Sequence, residues 1–276
     1  MSALTFTLKA TPAQRLDCSA LIPDNLNGKL PADIGAILLD SGNQKLRTDS
    51  LFAIAGDDVS DIVFDNSCGK LDYLGCGMTS GRITIHGGAG SYLGLHMRSG
   101  EILLHGDADV FAASGLAGGF IHINGNAGDF LAAAIAGDNI GLRGGTVIVT
   151  GNACERAGDQ MRRGILLIEG NAGSYCASRM RAGTIGVLGS VGSYAGYGMH
   201  RGTLLLARPP QLHATLQDCG VHTLPFLSLM FKSFGTLPTK FAKMQENHVR
   251  RYAGDIANDG KGEVLVLQPA VIANAG

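Results

Sequence analysis

The chain has 276 residues, enough for one large or two small domains, and a formal net charge of −1, which gives no basic footprint for DNA or RNA. Charged residues make up only 16% of it, against about 25% in ordinary soluble domains, so some outer walls are expected to be buried against other chains.

No basic-then-apolar leader follows Met1, and the longest apolar stretch, around Leu224 to Phe231, is far too short to span a bilayer, so a cytoplasmic protein is expected. Residues 1–60 read as an N-terminal cap. They contain a strand-like LTFTLKA (Leu4–Ala10) and a short helix near Pro31–Ile37.

A repeat follows. Gly81, Gly100 and Gly119 are nineteen residues apart, and Gly145, Gly164, Gly183 and Gly202 resume that step after one interval of twenty-six. All but the last open a copy of G-x-[IVL]-x-[IVL]-x-G-x-[AV]. Branched residues two apart predict a strand with one buried face, and the second glycine predicts a tight corner needing positive φ or close backbone approach. A nineteen-residue period with this much glycine is too short for a helical crossover, and the asparagine-leucine signature of leucine-rich repeats is missing. The expected fold is all-β: a single-stack parallel β-helix, right-handed, of about seven 19-residue coils between mixed α/β caps. The column is placed over residues 61–207, with coils about 4.8 Å apart and a height of roughly 34 Å.

Stacking coils turns equivalent positions into ladders. Met78, Met97, Leu116, Leu142, Met161, Met180 and Met199 are expected inside. Tyr92, Phe111, Phe130, Tyr175 and Tyr194 form an aromatic series broken by Arg156, and Asn126, Asn152 and Asn171 recur at a corner where stacked amides can bond along the column. Packing and corner chemistry account for all three. The long interval places an insertion at residues 132–141, AAAIAGDNIG, small, apolar and nearly uncharged. It is read either as a partner-contact loop, through Ala134, Ile135, Asp138, Asn139 and Ile140, or as a segment packed back on the column.

One ladder resists a packing explanation. Two residues before the lead glycines come Thr79, Arg98, Ala117, Arg143, Arg162, Arg181 and His200, with Arg163, Arg179 and Arg201 nearby. Neighbouring like charges about 5 Å apart repel by roughly 0.8 kcal/mol in water, so stability alone would not select them. They are read as a solvated basic edge or as a rail for a polyanion or an acidic partner face, the candidates being Arg98, Arg143, Arg162, Arg163, Arg181, His200 and Arg201.

After Arg208-Pro209-Pro210 the period stops, and residues 208–276 read as a cap and docking tail, with Pro238–Tyr252 as a helix followed by turn residues and a strand at Glu263–Leu267. Other chemistry has little support. The six cysteines contain no C-x-x-C pair and are expected to be reduced; His86 and His105 lack a third ligand, and the Cys219-x-x-His222 spacing stands alone, so no metal is assigned. Nucleophile elbow, phosphate loop and dinucleotide fingerprint are all missing, and no catalytic residue is assigned.

The string M-x-x-G-x-I-x-I-x-G-x-A-G at Met78–Gly90, nearly repeated at Met161–Gly173 and Met180–Gly192, resembles the glycine-rich β-helix shared by glutamate synthase large subunits and the family of C-type subunits of formylmethanofuran dehydrogenase. The interrupted repeat ending in GDNIGLRGG (Gly137–Gly145) and the flanks LFAIAGD (Leu51–Asp57) and YAGDIANDGKGEVLV (Tyr252–Val266) look like the latter, over nearly the whole chain. Asp109, Cys154 and the HINGNAGDFLAAA stretch depart from its glycine-rich corners.

The resemblance implies a non-catalytic subunit of a one-carbon enzyme complex working on a formylated furan carrier. One such assembly is the archaeal dehydrogenase with tungsten or molybdenum and iron–sulfur clusters. The other is the formyltransferase/hydrolase complex of methylotrophic bacteria, which passes formyl from a tetrahydromethanopterin carrier to methylofuran and releases formate. Low charge and six cysteines do not look like a heat-adapted archaeal chain, which favours the bacterial complex. The implied partners are an amidohydrolase-like subunit, a formyltransferase subunit and a further structural subunit. Cofactors would be held outside this chain: the carriers by the complex, metals by other subunits. The furan carrier's polyglutamate tail is an attractive partner for the arginine ladder. A scaffold domain of glutamate synthase type is the alternative within the resemblance, and a carbohydrate-active β-helix enzyme the catalytic rival, for which clustered aspartates are missing.

Overall fold

The computed structural model describes residues 2–268; residues 269–276 of the expected tail lie outside it. Its main feature is a 13-stranded, mostly parallel sheet with few helices, the β-helix-like architecture that the repeat predicts. The first three strands of this sheet are β1 (Ala3–Leu8), β2 (Phe52–Ala55) and β3 (Asp58–Ser67). The glycine-led segments follow as β4 (Arg82–Gly87), β5 (Glu101–His105), β6 (Phe120–Ile123), β7 (Thr146–Val149), β8 (Ile165–Ile168), β9 (Thr184–Val187) and β10 (Thr203–Leu206). Each pairs in parallel with the next, so that Ile83, Ile102, Ile121, Val147, Leu166, Ile185 and Leu204 meet in one row. A second line of parallel bridges joins Ala89, Ala108, Ala127, Ala153, Ala172 and Val191.

Both glycines of the repeat have a physical reason, and the reasons differ. At the lead glycine Gly183, φ is +102°, and a Cβ would lie 2.7 Å from Cε of Met161 and 2.9 Å from the Gly164 carbonyl oxygen. The thioether of one coil thus fills the space under the lead glycine of the next. At the second glycine, Gly170, φ is not left-handed; a Cβ there would lie 2.5 Å from the Gly151 carbonyl oxygen, so close approach alone excludes a side chain. The methionine and leucine ladder is fully buried, as expected.

The aromatic ladder is instead half-exposed. Tyr73, which the repeat pattern overlooks, stacks on Tyr92 at 4.8 Å between ring centroids; Tyr92 stacks on Phe111 at 5.4 Å, Phe111 on Phe130 at 4.7 Å and Tyr175 on Tyr194 at 5.0 Å. Where Arg156 interrupts the rings, its guanidinium lies 4.5 Å from the Tyr175 centroid. Every one of these residues has φ between +60° and +64°, a costly conformation for bulky side chains that the stack holds in place. The amide ladder forms at the corner: Asn126 Oδ1 accepts from Asn152 N at 2.9 Å, and Asn152 Oδ1 from Asn171 N at 2.8 Å.

The chain on either side of the repeat extends the same sheet. β3 pairs in parallel with β4 and β1 with β3, and β2 closes that end antiparallel to β1. At the other end β13 (Gly262–Leu267) pairs in parallel with β10, followed by β12 (His248–Gly254) and β11 (Gln217–Thr223), both antiparallel.

The segment Pro238–Tyr252 does not form the helix read from its sequence. It contains one 3-10 turn, Lys240–Lys243, and then enters β12, because His248–Gly254 finds ladder partners on both sides. The helix lies earlier, at Phe226–Phe234, where Leu227, Phe231 and Phe234 share a face. With Phe241 they cover the outer side of Ile148, Leu167 and Leu205. This arm explains a departure from strand alternation: β4 and β5 alternate, whereas β6 to β10 bury three successive residues.

Candidate functional site

Register places the arginine ladder. The main-chain N–H groups of Arg98, Arg143, Arg162 and Arg181 donate to the carbonyls of Met78, Leu116, Leu142 and Met161, one coil back, at 2.7 to 2.9 Å. His200 does the same to Met180 at 2.8 Å, and Ala117 occupies an uncharged rung between Arg98 and Arg143. The side chains rise from a backbone that cannot slide without breaking the column.

Arg143, Arg162, Arg163 and Arg181 line a groove of about 680 Å³, completed by Ile140, Ala182 and Gly183. Arg98, His200 and Arg201 are exposed along the same edge and stand outside the groove. Arg179 does not join the rail. Its guanidinium binds the buried carboxylate of Asp159, which also accepts from Ser178 Oγ at 2.7 Å; the Asp159 hydrogen bond pushes the Arg179 pKa up.

Carboxylates scarcely answer the groove. Among the described residues its single ion pair joins Arg143 Nη2 and Asp138 Oδ2 at 3.6 Å, beyond hydrogen-bond range, and Asp138 also lies 3.9 Å from His96 Nε2. Elsewhere arginines are closely paired: Arg15 with Asp72 and Asp109, Arg82 with Glu101, Arg250 with Asp218, and Arg251 with Glu263. Arg162, Arg163 and Arg181, on two adjacent coils, thus have no ion pair among the described residues, and planar guanidinium forks match the geometry of carboxylate and phosphate oxygens.

The inserted loop borders this groove. Its ends pack back: Ala132, Ala133 and Gly141 are buried, Ala134 N donates to Asp159 O at 3.2 Å and Gly141 N to Gln160 O at 3.0 Å. Ala134, Ile135, Asp138 and Ile140 are partly buried, while Ala136, Gly137 and Asn139 are exposed. The ends of the loop thus pack back on the column, while its tip is exposed. The proximity of Asp138 to Arg143 was not legible in the repeat, although the two stand five residues apart in the chain.

A second polar cluster clasps the arm. Glu169, at the outward position after its strand, accepts from Thr239 Oγ1 at 2.9 Å and Lys240 N at 2.7 Å, with Lys240 Nζ at 3.1 Å. Burial pushes this carboxyl up, but the Lys240 and Thr239 donors outweigh burial and hold it below the usual glutamate value. His86 and His105, lower on the same column, stack face to face at 5.0 Å. His222 Nε2 lies 2.8 Å from the Cys219 carbonyl oxygen. Among the described residues no three His, Cys, Asp or Glu side chains gather as a metal would require. Cys18 and Cys176 are fully buried thiols, and burial pushes the Cys176 thiol up to about 12.

The glycine pattern decides the family. Residues 67–222, more than half of the chain, match the model of the GXGXG motif. The chain belongs to the GXGXG-motif family. No curated protein matches it by sequence. Among solved structures, a chain in the X-ray crystal structure of the formyltransferase/hydrolase complex (FhcABCD) from Methylorubrum extorquens, in complex with methylofuran, is 35% identical to it with a TM-score of 0.92. The alignment covers 96% of this chain and 100% of that one. This member of the family is therefore homologous to one component of an enzyme complex. No helix among its described residues is long and apolar enough to cross a membrane.

Proposed function

We propose that the chain is the C-type, non-catalytic structural subunit of a cytoplasmic formyltransferase/hydrolase complex. The complex moves formyl from a tetrahydromethanopterin carrier to methylofuran and releases formate. The full-length likeness to a chain of such an assembly carries this reading. In it the column is a single-stack, right-handed β-helix of about seven 19-residue coils, the hand that parallel crossovers favour. The N-terminal residues 1–60 and the tail from 208 serve as caps, and the column braces the catalytic subunits. The implied companions are an amidohydrolase-like subunit, a formyltransferase subunit and another structural subunit. The chain itself holds neither carrier nor metal as a cofactor.

The arginine groove is the anion-binding surface of this subunit, for an acidic face of a neighbour or the acidic tail of the furan carrier. Its support is the presence in one groove of Arg162, Arg163 and Arg181, which have no ion pair among the described residues, beside Arg143, whose one counter-charge is the distant Asp138. The inserted loop, with Ile135, Asn139 and Ile140, belongs to the same contact region.

Purification of the native assembly through a tag on this chain tests the reading. Formyltransferase and amidohydrolase-like companions should co-purify with formyl-transfer activity, and the isolated chain should have none. A chain that purifies alone, or turns over a formyl donor by itself, would refute it. Shortening residues 132–141 to the regular nineteen-residue spacing should leave a folded chain that no longer assembles.

A further inference from the structure

Among the described residues, three of the arginines that lack an ion pair are gathered in one place, while Arg98, Arg156, Arg201 and Arg208 lack one elsewhere. Arg162, Arg163 and Arg181 line one groove and lack an ion pair among the described residues, while Arg143 has only the distant carboxylate of Asp138. That carboxylate arrives on the one insertion that interrupts the repeat. At 3.6 Å from Arg143 and 3.9 Å from His96 it forms no hydrogen bond to either, and it keeps a third of its side-chain surface exposed. An ion pair this loose and wet contributes little to stability.

We propose that Asp138 is a resident stand-in for an incoming carboxylate: it partly neutralises the Arg143 end of the groove until a carboxylate-bearing chain displaces it. This rests on the reading of the groove as the anion-binding surface. The anion that stands beside Arg143 is a carboxylate. Its rungs, one coil or about 4.8 Å apart, suit an extended chain with several carboxylates better than one isolated ion. Its lining holds no aromatic side chain on which a nucleic-acid base could stack. Ile140 supplies an apolar wall beside Arg143, against which the methylenes of an acidic side chain can lie.

On binding, the ligand's carboxylates take bidentate positions on Arg162 and Arg181, and Asp138 swings into solvent with the exposed tip of its loop. No bond is made or broken, and the loop ends stay anchored through Ala134 and Gly141.

The test is fluorescence anisotropy of labelled hexa-L-glutamate titrated with the full chain at low salt, with tripolyphosphate as competitor. The wild type should bind, and the Arg162→Gln/Arg181→Gln variant should bind at least tenfold more weakly. Asp138→Asn should bind about two- to fivefold more tightly, the scale that exposed ion pairs command. Arg250→Gln, remote from the groove, should leave binding unchanged, and thermal unfolding checks that each variant is folded. If the double arginine variant loses binding while Asp138→Asn matches the wild type, the groove stands and the stand-in role falls. Tripolyphosphate binding more tightly than hexaglutamate would overturn the choice of ligand. No binding by the wild type would remove the groove reading itself, leaving the assignment to a formyltransferase/hydrolase complex to be judged by co-purification.

Discussion

The outer face of strands β6 to β10 and the arginine corner just ahead of them are built by the same coils, with opposite outcomes. On the strand face the chain answers its own surface. The arm helix and Phe241 cover Ile148, Leu167 and Leu205, and Glu169 finds Thr239 and Lys240. At the corner the charges accumulate from coil to coil, and the nearest acid stays 3.6 Å away. A surface finished from within is part of the fold; the corner keeps its repelling cations with no such answer among the described residues.

Breaking the column beneath both regions should have the largest effect. Gly183→Val forces a branched side chain into a left-handed φ of +102° and against Met161, which should cost more than about 4 kcal/mol and remove arm docking and anion binding together. Chemical denaturation would show it; a variant as stable as the parent would deny the lead glycines their role. Phe241→Ala should separate the regions, costing about 3 kcal/mol through loss of a fully buried ring while hexaglutamate affinity is retained.

A smaller effect is expected at the clasp. Glu169→Gln should cost about 2 kcal/mol and raise amide exchange in residues 226–243. Because the folded carboxyl titrates below its ordinary value, its contribution is present above the unfolded glutamate pKa and is lost as pH falls through the folded one. Arm protection should therefore decline in acid in the wild type, and more shallowly in the glutamine variant. The smallest change sharpens the other side of the comparison: Arg143→Gln/Arg162→Gln/Arg181→Gln should stabilise the chain by about 0.5 to 1 kcal/mol through relieved repulsion, while weakening the capture of acidic partners. Loss of stability would mean that the arginines have internal partners after all.

The column was legible because each coil restates the same constraints, so Met78, Gly81 and Ile83 are read again in every copy. The arginine candidates were legible for the same reason, since a period assigns them one edge. What sits outside the period was not. Gly186 interrupts the branched residues of β9 because the Phe241 ring lies where its side chain would be, a reason found fifty-five residues away. The helix at Phe226–Phe234 owes its place to the sheet it covers, and Pro238–Tyr252 became mostly loop and strand because β11 and β13 flank it. Asp138 sits in the single aperiodic interval, where no second copy marks its role.

The antiparallel strands at the two ends of the sheet have a further consequence. A stack of identical parallel rungs would template its own elongation into a filament, since each open rung presents the pattern the next one needs. At one end β2, and at the other β12 and β11, are joined by antiparallel ladders instead, so neither edge strand is a glycine-led rung of the repeat. The molecule is thus cut to one length, and whatever docks along its walls is held at separations counted in whole coils, as on a ruler.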